Sequence, residues 1–194
     1  MNKTWIILGS VGAFILILVL WAVSGYNSLV KTDEELNKSW GNVESSYQRR
    51  SDLIPNLVST VKGYADFEKS TLLEVTNARA SATQVKVDPS NPESFKKFEA
   101  AQQQVSSSLS RLLVVVEKYP DLKANQSFID LQRELAGTEN RINVERRKYN
   151  EAVQAYNVNI RKFPRSILSS MFGFDKKPYF ESKPGTENAP AVKF

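Results

Sequence analysis

The chain has 194 residues and a modest net charge of +5, with 26 Lys and Arg against 21 Asp and Glu, and it contains neither His nor Cys. That composition excludes disulfides, a lipidated cysteine, thiolate and histidine metal sites, and any Ser-His or Cys-His nucleophile. Basic residues are scattered; the one cluster, Arg141, Arg146, Arg147 and Lys148, reads as a solvated helix face, so no nucleic-acid partner is expected.

No charged residue lies between Lys3 and Lys31, and Trp5–Val23 is an apolar run of 19 residues. A helix of that length spans ~30 Å of hydrocarbon. Trp5 and Trp21 sit where interfacial aromatics belong. The run is longer than a signal-peptide core, and Trp21-Ala22-Val23-Ser24 is a poor cleavage site. Residues 1–30 are therefore expected to form a single-pass anchor in the cell membrane. Lys3 on one side and Lys31 and Lys38 on the other nearly balance, so flanking charge gives little guidance on orientation.

Beyond the anchor, Leu36, Trp40, Val43, Tyr47, Arg50, Ile54, Leu57, Val61 and Tyr64 alternate at spacings of four and three. This is a heptad-like seam of a helix packed on another helix. It extends through Leu72 and Val75 to about Ala82. Pro55 lies inside it, removes a backbone donor and crowds the Ser51 carbonyl, so a kink or break is expected there, with Asp52 able to cap a new helix. A full reversal at Ser51–Asp52 would drive the following segment back into lipid. One long kinked helix is the preferred reading, ending before Val85–Pro92.

A second helix opens at Pro92, with Asn91 or Ser90 as cap, buries Phe95, Phe98, Gln102, Val105, Leu109, Leu112 and Val116, and stops at Tyr119-Pro120. A third runs from about Lys123 to Phe163 on a seven-residue repeat of Phe128, Leu135, Ile142, Tyr149, Tyr156 and Phe163. After Pro164, Ile167–Phe174 is a short apolar patch that either folds onto the bundle or contacts membrane or a partner. Residues 176–194 are expected to be a disordered tail. The arms, roughly 80, 40 and 60 Å long, are unequal if the chain rises, falls and rises again. That would leave the seam around Trp40 and the region of Tyr149 and Tyr156 partly bare, which predicts a homo-oligomer with Trp40 near the contact.

Polar residues interrupt these seams: Arg50 in the first and Glu145 in the third, with Glu139, Asn140 and Arg146 nearby. Tyr149-Asn150 and Tyr156-Asn157 recur one heptad apart. A charge buried without a partner costs several kcal/mol. These groups either snorkel to the bundle edge, form a buried network that fixes register, or present a partner surface. No phosphate loop or carboxylate cluster is visible, and no cofactor, metal or catalytic residue is expected.

The stretches Tyr26–Val30, Trp40, Arg49–Val58, Val61–Tyr64, Glu117–Ala124, Leu131–Leu135, Thr138–Asn140, Arg146, Tyr149-Asn150, Val153, Tyr156-Asn157 and Phe163-Pro164 together resemble the bacterial LemA family over roughly residues 5–175. The block Arg49-Arg-Ser-Asp-Leu-Ile-Pro-Asn-Leu-Val58 carries most of that resemblance and adds Arg49, Asp52, Pro55 and Asn56 to the candidate structural or partner-binding residues. Phe67 departs from the family, which commonly has His there. The resemblance implies an up-and-down helical bundle behind one transmembrane helix, no established activity, a relative implicated in building magnetosome membranes, and a lean towards an extracytoplasmic bundle. The expectation is an all-α chain: an anchor over 1–30, an antiparallel bundle of long helices over 31–175, and a tail. Its expected role is a non-enzymatic scaffold that self-associates or docks another membrane protein. The alternative is a membrane-sensing or remodelling factor that engages lipid.

Overall fold

The computed structural model describes residues 3–63 and 68–181, and six helices account for most of them. Helix α1, Lys3–Lys62, is continuous over 60 residues, about 90 Å. Its first third is the apolar run, exposed along its length from Trp5 to Leu20. Among the described residues it is the one helix long and apolar enough to cross a membrane. The anchor enters the bundle with no linker.

The expected kinked helix through residue 83 does not form. α1 passes straight through Pro55 and ends at Lys62, and α2, Lys69–Gln84, is a separate helix. Arg79 of α2 reaches Ser51 of α1, so α2 runs back antiparallel along the distal part of α1. Leu72, Val75, Ala78 and Ala82 bury against Ile54, Leu57 and Val61. A heptad pattern reads the same whether the helix continues or folds back with its apolar side inward, which is why the seam ran on without a slip. The lipid collision that argued against reversal is avoided, because α1 runs on to Lys62 and α2 is only 16 residues, about 24 Å. Tyr64 and Phe67 lie outside the described residues.

α3, Pro92–Val116, starts as the sequence predicts. Pro92 is its first residue, and the Asn91 side chain accepts from the Glu93 and Ser94 amides. It climbs antiparallel to α2, with Glu74–Arg111 and Glu68–Lys118 ion pairs between facing turns. The single turn α4, Pro120–Lys123, then leads to α5, Gln126–Arg161, capped by Asn125. α5 descends along α1: Glu134 and Glu139 meet Arg49 and Arg50, Tyr149 meets Trp40, and Asn159 meets Ser28 and Thr32. The chain therefore rises, falls, rises and falls. Tyr149 and Tyr156 are near the membrane, not distal as the unequal-arm picture had them. Phe163, last of the heptad set, lies past the end of α5 and is 83% exposed.

α6, Arg165–Phe172, turns under the foot of the bundle, and Gly173 ends it at φ +73°. Residues 174–181 then run back up the bundle as an extended strap. Part of the tail expected to be disordered is thus docked: Lys177 and Phe180 are held by α5, and Phe180 is 5% exposed. The rest, 182–194, lies outside the described residues. Two cores result. The distal one joins α1, α2, α3 and the α4–α5 corner; the proximal one joins α1, α3, α5, α6 and the strap. The bare seam around Trp40 does not exist, since α3, α5 and the strap cover it.

Candidate functional site

Arg50 stands where the proximal and distal cores meet, 3% exposed. Heptad spacing aims it inward, so its charge must be satisfied inside the bundle. One guanidinium nitrogen donates to Glu139 Oε2 at 2.8 Å and to Ser106 Oγ at 2.9 Å. The other donates to Gln102 Oε1 at 2.7 Å and to the Gln102 carbonyl at 3.3 Å. Tyr47 lies beneath, with the guanidinium carbon 5.1 Å from its ring centre. Arg50 thus ties α1 to both α3 and α5. Arg50 does not reach the bundle edge; its guanidinium is enclosed among these partners.

A second arginine sits two turns along α5. Arg146 donates to Glu99 of α3 at 3.3 Å and to the Glu181 carbonyl of the strap at 3.0 Å, and it lies 4.5 Å from the Phe180 ring centre. Burial pushes the Glu99 carboxyl above its usual range, and Arg146 opposes that shift. Burial likewise pushes Tyr47 up, against the pull of Arg146 and Arg50.

Between α3 and α5 the bundle is open. α5 lies along α1 and α3 along α2, with little close backbone approach between α3 and α5. Two hollows of ≈ 540 and ≈ 370 Å³ share Arg50, Ser106 and Glu139 in their walls. The membrane-proximal hollow holds more of the polar residues, among them Glu99, Gln103 and Arg146. The distal one is largely apolar, with Leu57, Leu109, Leu113, Leu135 and Ala136. Along α3 the groove runs from Glu99 to Leu113, about 20 Å.

The remaining predicted residues divide. Trp40 is 8% exposed inside an aromatic box of Phe95, Phe98, Tyr149 and Phe180, with ring centres 5.5–6.2 Å away. It is not a surface contact, and the self-association expected through it loses its premise. Asn150 and Asn157 are clamps. Asn150 donates to the Phe180 carbonyl at 3.0 Å and accepts from the Phe180 amide at 2.9 Å. Asn157 does the same with Lys177, at 3.0 Å both ways. Seven helical residues span about 10.5 Å, and three extended residues span nearly the same, so the heptad spacing matches the strap. Tyr149 is fully buried, and its hydroxyl has no hydrogen-bond partner among the described residues. Tyr156 is buried nearby, its phenol pushed up to about 12 chiefly by burial.

Arg49 pairs with Glu134 at 3.0 Å on the exposed surface. Asp52 is not a cap; it accepts from Gln48 at 2.9 Å in mid-helix. Pro55, Asn56 and Asn140 face solvent. Glu145 pairs with Lys148 at one oxygen, 2.9 Å, while the other is buried and unpartnered. Trp5 is exposed, whereas Trp21 packs partly against the foot of the bundle. Sequence reasoning did not single out Arg79, Ser106, Asn159 or the strap. The heptad pair of asparagines carried the signal for the strap, since buried amides need backbone partners.

Ser106 Oγ accepts from Arg50 and donates to the Gln102 carbonyl at 3.2 Å. Among the described residues no group of three acidic side chains could hold a metal ion.

The family model for the LemA family matches residues 39–194, which spans the bundle, the groove and the strap. The chain belongs to the LemA family. Among its relatives, magnetosome proteins MamQ 1 and MamQ 2 of Paramagnetospirillum magneticum are each 29% identical over 194 residues, covering 90% of this chain and 70% of theirs. MamQ of Magnetospirillum gryphiswaldense is 27% identical over 82% of this chain and 65% of its own length. Protein LemA of Metamycoplasma hominis is 26% identical over 71% of this chain and 60% of its own. The Arg50 network and asparagine clamps thus lie in a membrane-associated LemA chain whose relatives carry no enzyme name.

Proposed function

We propose that this LemA chain is a membrane-anchored, non-enzymatic docking scaffold whose α3–α5 groove receives a helix of another membrane protein or of a second copy. The observation that carries the reading is the groove itself. It is about 20 Å long, with more polar residues in its walls at the membrane-proximal end and a largely apolar wall at the other. Its two arginines are already paired within the bundle, Arg50 with Glu139 and Arg146 with Glu99, so it offers shape and apolar surface. An amphipathic helix is the occupant that matches such a gradient. The MamQ relatives are magnetosome proteins by name, and a scaffold at a membrane is consistent with that company. We place the bundle on the extracytoplasmic side, following the family resemblance and not the nearly balanced flanking charges.

The test is co-purification from mildly solubilised membranes. Gln103→Arg with Ala136→Arg adds bulk to the exposed groove walls without touching the packed cores. Loss of a specific co-purifying membrane protein, or of self-association, is the expected result. Unchanged co-purification would move the contact away from the groove.

A further inference from the structure

Exposed apolar side chains above the anchor are mostly scattered singly: Leu73, Val114, Val144 and Val158. One group is not. Phe163, Ile167, Met171 and Phe172 are 83%, 51%, 71% and 56% exposed within ten residues of chain. Ile167 and Met171 stand one turn apart on α6, and its opposite side, Leu168 and Ser169, is buried. Among the described residues nothing covers this outer face.

Its position is fixed by several contacts. Ser169 Oγ donates to the Ile160 carbonyl at 2.8 Å, and Arg165 donates to Asn159 Oδ1. Asn159 in turn donates to the Ser28 carbonyl and Thr32 of α1, each at 3.0 Å. A side chain at Gly25 would meet Leu168 at 2.6 Å, so α1 and α6 approach through a glycine. Tyr26 meets Phe172 edge-on, with ring centres 4.9 Å apart. Gly25 follows the last residue of the apolar run, Val23, by two positions, a rise of about 3 Å. A helix with its side chains is about 10 Å thick. The outer side of α6 therefore lies level with the end of the spanning segment, where Trp21 already packs on the bundle foot. Arg161 and Lys162 are exposed beside it.

We propose that α6 and Phe163 are a second membrane contact: the helix lies on the bilayer that the anchor crosses. Phe163, Ile167 and Met171 enter the boundary between headgroups and acyl chains, and Arg161 and Lys162 meet anionic headgroups. An amphipathic helix with a basic flank, held beside a spanning helix, has the chemistry of an interfacial segment. The contact would fix the tilt of the bundle on its anchor. It is independent of what occupies the α3–α5 groove.

The chain lacks cysteine, so Ile167→Cys and Met171→Cys can each carry a single environment-sensitive fluorophore. Val114→Cys, 69% exposed on α3 far from the foot, is the solvent control. Full-length protein is reconstituted into phosphatidylcholine–phosphatidylglycerol vesicles at less than one chain per vesicle. Emission at 167 and 171 should shift to the blue relative to 114, with severalfold stronger quenching by a shallow spin-labelled lipid. Emission and quenching matching those at 114 would overturn the proposal. So would a blue shift without lipid quenching, or one that appears only when many chains share a vesicle, since a second copy would then be the cover.

Discussion

Arg79 donates its Nε–H to the Ser51 carbonyl at 2.8 Å, and Ser51 is the acceptor four residues before Pro55 that a proline cannot bond. α2 thereby supplies the donor that α1 lacks, and the helix continues through a residue that would ordinarily stop it. Arg79→Ala should cost about 1–2 kcal/mol, the penalty for stranding a carbonyl that is partly covered. In a Pro55→Ala background, where the helix amide is restored, the same change should cost measurably less. Thermal melts of the four detergent-solubilised full-length proteins give the coupling, and additive costs would mean the pairing is incidental.

Arg50 satisfies three side chains on two helices, and its own surface is almost wholly buried. Arg50→Ala should destabilise by about 3 kcal/mol, near the lower end for broken buried pairs, because Glu139 remains partly exposed and can rehydrate. Arg50→Lys should recover only part of this, since one ammonium cannot span both forks. A loss below about 1 kcal/mol, the range of surface pairs, would show that the network adds nothing to stability.

The Tyr149 hydroxyl is buried without a hydrogen-bond partner among the described residues, so Tyr149→Phe should leave stability unchanged or raise it by up to about 1 kcal/mol. A loss of more than that would reveal a hydrogen bond through an internal water.

Tyr156 gives a pH dependence of known sign. Folded, it keeps its proton to about 12; unfolded, it releases it near 10. Across that window the unfolded chain binds fewer protons, so the Tyr156 contribution is full below pH ~10 and falls as pH rises towards 12. Tyr156→Phe should flatten the alkaline fall in melting temperature. An unchanged alkaline slope would contradict the assignment.

Each asparagine clamp makes two hydrogen bonds to the strap. Asn150→Ala or Asn157→Ala should cost about 1–2 kcal/mol and should speed limited trypsin cleavage of the Lys176–Lys177 bond. Equal cleavage in wild type would mean the strap is not held.

Much of the architecture was legible because helices carry their partners in their period. The spanning run, the Asn91–Pro92 start and the inward stripes of α3 and α5 all follow from spacing. The reversal beyond Gly63 was not legible, since Leu72, Val75 and Ala82 keep the heptad phase on either side of it. With that turn hidden, every later arm pointed the wrong way, and the bare seam at Trp40 followed from it. At the site, Arg50 announced itself as a charge on an apolar seam. Arg79 did not, because its role depends on a carbonyl orphaned 28 residues earlier. The strap was missed because Lys176-Lys-Pro-Tyr reads as tail, and Phe180 stands beyond it as a single apolar residue with no periodicity to flag it.

A photocrosslinking residue placed at Gln103 in living cells tests the α3–α5 groove as a docking surface most directly. One discrete adduct, formed at Gln103 and absent when the same group is placed at Asn56, exposed on α1 and outside the groove walls, is the predicted result. Its size will separate a second copy from a different membrane protein. Equal or absent labelling at the two positions would contradict the groove as the site of contact.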